Sequence, residues 1–370
     1  RIQGDKVYLK MQGGETGFNK DQIDLGKTIR DYDAYQKIIE KASKASEDGD
    51  HLGALKLYQS IVASDGNDAQ ARFLHGKELM ALKRYDDAVY DLMRVLELDS
   101  HYPQVNTRLG DIYFKQLKYN DAIDKYLLAL DEDPKDKEAH LGLGMSYAKQ
   151  DMYEGAITEL NRALELRPDY ALAYAMLGYV DYKKSDFDGA LAALDKAEKL
   201  DARLPEAHYY KGLVYGVLGV ETRDVRKRGD YLDKSIEAFR KAVQLRKDFP
   251  EAHADLGVAF YKRGSVARAV EEFKTALSQK PDMAVAHNNL AGIYLRQGYY
   301  DDAVSEAKSA VTYEPNMAEA YFIMGNAYNN MKKYKEAARA YDKYLYFSPD
   351  GPMAGEVKAR LDNVLKEGGQ

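Results

Sequence analysis

The chain opens on a two-residue rhythm. Val7, Leu9 and Met11 alternate with Tyr8 and Lys10, the period at which a strand turns one apolar face inward. Gly13, Gly14 and Gly17 follow and predict a turn. From Thr28 the rhythm becomes helical, with Ile29, Tyr32, Ile38, Ile39 and Ala42 at helical spacing. The far end is helical too. Val357, Leu361, Val364 and Leu365 share one face, Lys358, Arg360, Asp362 and Lys366 the other, and Gly368 and Gly369 close the segment. Residues 1–34 therefore read as a strand-like extension plus the start of a helix, and residues 352–370 as a solvating end helix and tail.

Between these ends, small residues recur. Gly76, Gly110, Gly144, Gly178 and Gly212 are each 34 apart; after a gap of 45 come Gly257, Ala291 and Gly325, again 34 apart. Ala54, Ala88, Ala122, Ala156 and Ala190 keep the same period, and Ser235, Ala269, Ala303 and Ala337 resume it after the gap. A third series runs Ala129, Ala163, Ala197, Ala242, Ala276 and Ala310. Three series in one phase mark a tandem array.

The array resembles the tetratricopeptide repeat, whose signature has small residues at positions 8, 20 and 27, aromatics near 11 and 24, and proline at 32. Tyr113, Tyr147, Phe260, Tyr294 and Tyr328 stand at position 11; Tyr58, Tyr126, Phe239, Phe273 and Tyr341 at 24; Pro134, Pro168, Pro281, Pro315 and Pro349 at 32. Nine units then begin at residues 35, 69, 103, 137, 171, 205, 250, 284 and 318 and fill 35–351. The resemblance implies an all-α fold, a right-handed solenoid of helix-turn-helix pairs. It says little about function, since one fold serves many.

Physics explains the signature. Antiparallel helices need small residues where their backbones approach, and rings fill the space beside them. Position 17 adds Tyr85, Tyr119, Tyr153, Phe187, Tyr300 and Tyr334. Proline at 32 ends a helix. Much of the tyrosine content, 31 residues, is thereby assigned to packing. The first unit departs from the pattern, with Ala45 at 11 and Gly66 at 32; the fifth has Asp181 at 11; the sixth carries eleven extra residues around Gly219–Tyr231. That insertion holds Arg223, Arg226, Lys227 and Arg228. It reads as an exposed protrusion or as a contact arm for an acidic surface, and about three helical turns would keep a longer hairpin in phase.

In the family, positions 2, 5, 9, 12 and 13 of the first helix face the concave surface. The resemblance therefore implies partner contacts at Phe73, Met80, Phe114, Leu141, Met145, Tyr179, Tyr182, Tyr209, Leu213, Val258, Tyr261, Leu295 and Phe322. An exposed apolar strip of this length marks an interaction surface. Lys115, Lys149, Lys183, Lys262 and Arg296 fall at position 13, and Glu138, Glu206, Glu251 and Glu319 at position 2. These charges suit the two edges of a peptide groove, and equally the dipole of each first helix. The carboxylate clamp of co-chaperone members is not matched, because position 5 holds Ala254, Asn288 and Phe322 where a lysine is required.

Composition narrows the function classes. The balance of 54 basic and 60 acidic residues, net charge -6, gives no footprint for nucleic acid. No apolar run reaches the ~18 residues of a membrane span. Absent cysteine rules out disulfides, thiol catalysis and cysteine-bound metals. His140, His208, His253 and His287 all fall at position 4, one or more repeats apart, with no paired spacing for a metal. Gly142 and Gly144 lie inside a first helix, so they form no phosphate loop. No residues suggest catalysis, a metal or a cofactor. Two functions fit. One is a scaffold holding a partner protein, in a bacterial or archaeal envelope or extracellular assembly. The other is a structural subunit joining copies of itself head to tail, as an oligomer or filament, through the strand-like Val7, Leu9 and Met11. The start at Arg1 and the missing cysteine favour a periplasmic or extracellular setting over the cytoplasm.

Overall fold

The computed structural model describes the backbone of residues 2–3, 6–11, 14–19 and 25–369, and the side chains of residues 32–369. The chain divides into two compact units, 1–166 and 167–370.

The first unit begins with strands β1 (Ile2–Gln3), β2 (Lys6–Met11) and β3 (Gly14–Asn19), an antiparallel sheet of order β1-β2-β3. Val7, Leu9 and Met11 all lie on β2, opposite Phe18, Thr16 and Gly14 of β3. Of the glycines expected to turn, Gly14 and Gly17 instead sit within β3, and Gly13 lies outside the described residues. Eight helices follow: α1 (Leu25–Glu47), α2 (His51–Ser64), α3 (Ala69–Ala81), α4 (Tyr85–Leu98), α5 (Val105–Lys115), α6 (Tyr119–Glu132), α7 (Lys137–Lys149) and α8 (Tyr153–Leu166). Helix α1 starts at Leu25, ahead of the expected Thr28.

The second unit holds α9 (Ala171–Lys183), α10 (Phe187–Leu200), α11 (Pro205–Glu221), α12 (Val225–Leu245), α13 (Pro250–Lys262), α14 (Val266–Gln279), α15 (Ala284–Gln297), α16 (Tyr300–Tyr313), α17 (Ala318–Asn330), α18 (Tyr334–Phe347) and α19 (Ala354–Glu367). In both units odd- and even-numbered helices pack as hairpins, and successive first helices touch, α3 to α5 to α7 and α9 to α11 to α13. One hairpin cannot bury both faces, so stacking supplies the core.

The tightest contact explains the glycine series. A methyl group placed on Gly325 would lie 2.4 Å from the Tyr341 ring, and one on Gly178 2.6 Å from Leu194. Position 24 thus rests directly on the backbone at position 8. Tyr126 is covered from two sides, since a methyl would meet its ring at 2.6 Å from Gly110 and at 2.2 Å from Gly142 of the next repeat. Its hydroxyl donates to Asp111 Oδ1 at 2.8 Å.

Eight of the nine hairpins use one turn. Gly49, Lys83, Leu117, Asp151, Ser185, Gly264, Gly298 and Lys332 all take positive φ, from 58° to 87°. Just after each, an N–H returns to the preceding helix, as from Arg84 to the Leu79 carbonyl (2.8 Å) and from Lys118 to Tyr113 (2.9 Å). This is the bonding of a helix stop with a left-handed residue. The sixth hairpin, which carries the insertion, lacks this turn: Thr222 after α11 has a φ of -68°, and the Asp224 side chain caps α12 by accepting from the Arg226 and Lys227 N–H groups. Helix α11 has 17 residues where its counterpart α13 has 13, and α12 has 21 where α14 has 14. Additions of four and seven are close to one and two turns, so the apolar faces stay in register.

At the end of the chain, Val357 and Val364 of α19 are buried against Tyr341 and Tyr344, with Leu361 and Leu365 packed around them. This is the face expected from the sequence.

Candidate protein-binding face

The first helices carry the expected strip, and its exposure differs from expectation. Phe73 and Leu141 are core residues, 9% and 6% exposed. Phe73 packs on Tyr102 with ring centroids 5.3 Å apart. Met80, Phe114, Met145, Tyr179, Tyr182, Tyr209, Leu213, Val258, Tyr261, Leu295 and Phe322 are half-buried. The physical reason is that each ring leans on the next turn or repeat: Phe114 on Tyr119 (5.5 Å), Tyr182 on Phe187 (6.5 Å), Phe322 on Tyr344 (6.1 Å). The strip presents partly covered side chains rather than fully exposed ones.

In the second unit the strip is centred on α9, α11 and α13. Tyr209 contacts Tyr210, Phe239 and Phe249 at centroid distances of 5.5, 5.8 and 4.8 Å. Its hydroxyl donates to Asp255 Oδ2 at 2.9 Å. Burial pushes the Asp255 carboxyl up to about 6, against the opposing pull of the Tyr209 hydrogen bond and the Lys262 charge. Burial also lowers Lys262 and raises Tyr182, the latter helped by the Asp255 charge. Tyr182, Tyr209, Asp255 and Lys262 thus form one polar cluster set among aromatic rings. Sequence reasoning named the two tyrosines and the lysine but missed Asp255, which stands at position 6, outside the five groove positions.

The first unit has a second polar cluster. Arg108 donates to Asp111 Oδ2 (2.9 Å) and pairs with Glu138 of the next first helix. Asp111 is raised by burial despite that guanidinium. Position-2 glutamates are tied down elsewhere as well, Glu206 by Arg246 and Glu251 by Lys280. Position-13 bases occupy the last turns of their helices, where the dipole favours them.

The histidines close hairpins. His140, His253 and His287 place Nδ1 at 2.6, 2.7 and 2.6 Å from Glu159, Glu272 and Glu306 of the partner helix. His208, whose repeat has Ala238 where the others have glutamate, bonds the Ala202 carbonyl instead (3.0 Å). Among the described residues no cluster of three or more histidine and acidic side chains is placed to hold a metal. Nor is any described helix long and apolar enough to cross a membrane.

Comparisons with known proteins agree with this architecture. A model described as tetratricopeptide repeat matches residues 39–103, 107–171 and 286–352, and one described as TPR repeat matches 178–219, 225–264 and 257–298. No curated protein matches the chain. Among solved structures, the Cut9–Hcn1 hetero-tetramer of APC/C matches with a TM-score of 0.63 at 17% identity, over 85% of this chain and 59% of that one. This chain therefore spans about three fifths of that relative's length. A monomeric IFIT1 mutant with Gppp-AAAA gives 0.57 at 16% identity, over 82% and 79% of the two chains. PilF of Pseudomonas aeruginosa gives 0.53 at 19%, over 61% and 99%. At these identities the structures speak to fold alone. The repeat models cover most of the chain, and the protein belongs to the tetratricopeptide repeat family.

Proposed function

We propose that the protein is a non-enzymatic scaffold that holds a segment of a partner protein along the first helices α9, α11 and α13. The observation carrying this reading is the half-buried aromatic strip around Tyr182, Leu213 and Tyr261, set beside the buried Asp255–Tyr209 hydrogen bond. Partially covered rings with a few oriented polar groups suit peptide recognition, in which apolar anchors give affinity and polar groups give register. A test is to pan a random peptide library on the wild-type chain and measure the selected peptides on a Tyr182→Ala/Tyr261→Ala variant. A loss of at least about tenfold in affinity, the scale of one or two anchors, is expected. Unchanged affinity with a folded variant refutes this site.

A second reading is self-assembly. Strand β1 pairs with β2 only at Gln3↔Lys6 and Ile2↔Val7, so among the described residues the rest of that β2 edge has no strand beside it. Open edges accept strands. Sedimentation of the chain with and without residues 1–27 tests this: assembly that disappears on truncation supports it, and a monomer in both cases removes it. A periplasmic or extracellular setting is also part of the proposal, supported by the cysteine-free composition. Fractionation of source cells tests it, and recovery in the cytosol refutes it.

A further inference from the structure

A cleft of about 930 Å³ opens in the second unit, lined by α11, α12, α13, the end of α10 and the start of α14. It lies on a different side of these hairpins from the aromatic strip, since its walls are mainly second helices. In a chain of net charge -6 it is basic. Lys211, Lys234, Arg240, Lys241, Arg263 and Arg268 line it, against Glu198, Asp233 and Glu237. Two of the cations are neutralised locally: Lys211 pairs with Asp195 and Glu198, and Arg263 with Asp233.

The other four, Lys234, Arg240, Lys241 and Arg268, are exposed and have no carboxylate in ion-pair contact among the described residues. Three of them are held by rings instead. Arg240 and Arg268 both sit over the buried Phe260 ring, at 5.2 and 5.7 Å from its centroid. Lys234 sits over Tyr215 and Tyr231, at 5.4 and 6.0 Å. Aromatic support fixes a cation while leaving its hydrogen-bond donors free. The two guanidiniums lie within about 11 Å of each other by way of Phe260, although like charges repel.

The sequence pattern points the same way. At position 19, the start of the second helix except in the lengthened sixth repeat, other repeats have Asp87, Asp121, Asp302, Glu336 or glycine; only the sixth and seventh carry bases, Lys234 within α12 and Arg268 at the start of α14. Arg268 stands in the first turn of α14, where the helix dipole disfavours a cation. That helix has no acidic residue in its first turn and no side-chain cap from Ser265, so its N–H groups add to the positive potential of the cleft. A charge arrangement that works against its own helix is explained by an anion from outside.

We infer that this cleft is a second docking site, for an acidic segment of a partner protein, with Arg240 and Arg268 forking onto two carboxylates. In an extended peptide, carboxylates two residues apart are separated by roughly 7 Å, within the reach set by Phe260. Planar guanidiniums bind carboxylates in bidentate fashion.

The test is fluorescence anisotropy at low ionic strength with a labelled peptide of alternating glutamate and serine, the same peptide with glutamine for glutamate, and a labelled oligothymidine. The full chain is compared with an Arg240→Gln/Arg268→Gln variant and with Lys343→Gln, a base far along the chain, and circular dichroism and melting temperature verify folding. The inference expects the glutamate peptide to bind, to weaken at least about tenfold in the double variant and as salt rises, and to be unaffected by Lys343→Gln. It is overturned if the glutamate peptide does not bind the wild-type chain, if the glutamine peptide binds equally, or if the double variant binds as well as wild type. Tighter binding of the oligothymidine also overturns it, in favour of a nucleic-acid site.

Discussion

Replacing Asp255 by asparagine separates the cost of a buried charge from the benefit of its hydrogen bond. Asparagine keeps an oxygen to accept from the Tyr209 hydroxyl, now 2.9 Å from the Asp255 carboxylate, and removes the charge. The native carboxyl titrates at about 6, against 3.8 for the free group, chiefly because burial penalises the ion. The folded state therefore binds more protons than the unfolded state between these values, and stability falls as pH rises through that window. Two units at 1.36 kcal/mol each give about 3 kcal/mol as the upper limit. The variant should exceed wild type by up to about that amount at pH 8, and the gap should shrink as pH falls from 6 towards 4. Urea unfolding of both proteins at several pH values measures the difference, in which other raised acids such as Asp181 cancel. Curves that stay parallel across the window, or a variant less stable at pH 8, would refute the burial argument.

Three further outcomes follow from packing. Gly142→Ala places a methyl 2.2 Å from the fully buried Tyr126 ring and should destabilise by about 1–3 kcal/mol or more, measured by thermal melting. Gly292→Ala, whose methyl would meet only Ile323 at 3.8 Å, should stabilise by about 0.5–1 kcal/mol through helix propensity; the same sign for both substitutions would contradict the close-approach account. Leu117→Gly relieves a left-handed φ of 62° at an exposed site. Relief of about 1–2 kcal/mol against a glycine penalty of about 0.5–1 kcal/mol predicts modest stabilisation, and a clear loss in melting temperature would show that the Leu117 side chain contributes packing.

The repeat phase was legible because the contact that fixes it is steric. Gly178 lies under Leu194 and Gly325 under Tyr341, and no larger residue fits, so the sequence shows the spacing directly. The insertion was legible as a longer hairpin for the same reason of phase, with α11 and α12 taking up its residues in near-whole turns. The left-handed turn was hidden, because Lys83, Leu117, Asp151, Ser185 and Lys332 adopt it without being glycine. Helical position told which way Phe73 and Leu141 point but not that neighbouring rings cover them. Asp255 was missed because burial depends on Tyr209, 46 residues away, and one repeat's pattern does not report on the next. The basic cleft had a signal in Lys234 and Arg268 at an otherwise acidic or glycine position, readable only by comparing repeats column by column.

The scaffold account rests on where a partner segment lies. Hydrogen exchange of the chain, with and without a peptide selected on it, locates that segment directly. The account predicts new protection along α9, α11 and α13, centred near Tyr182, Leu213 and Tyr261. Protection confined to residues 1–27, or an exchange pattern unchanged by a saturating peptide, would contradict it.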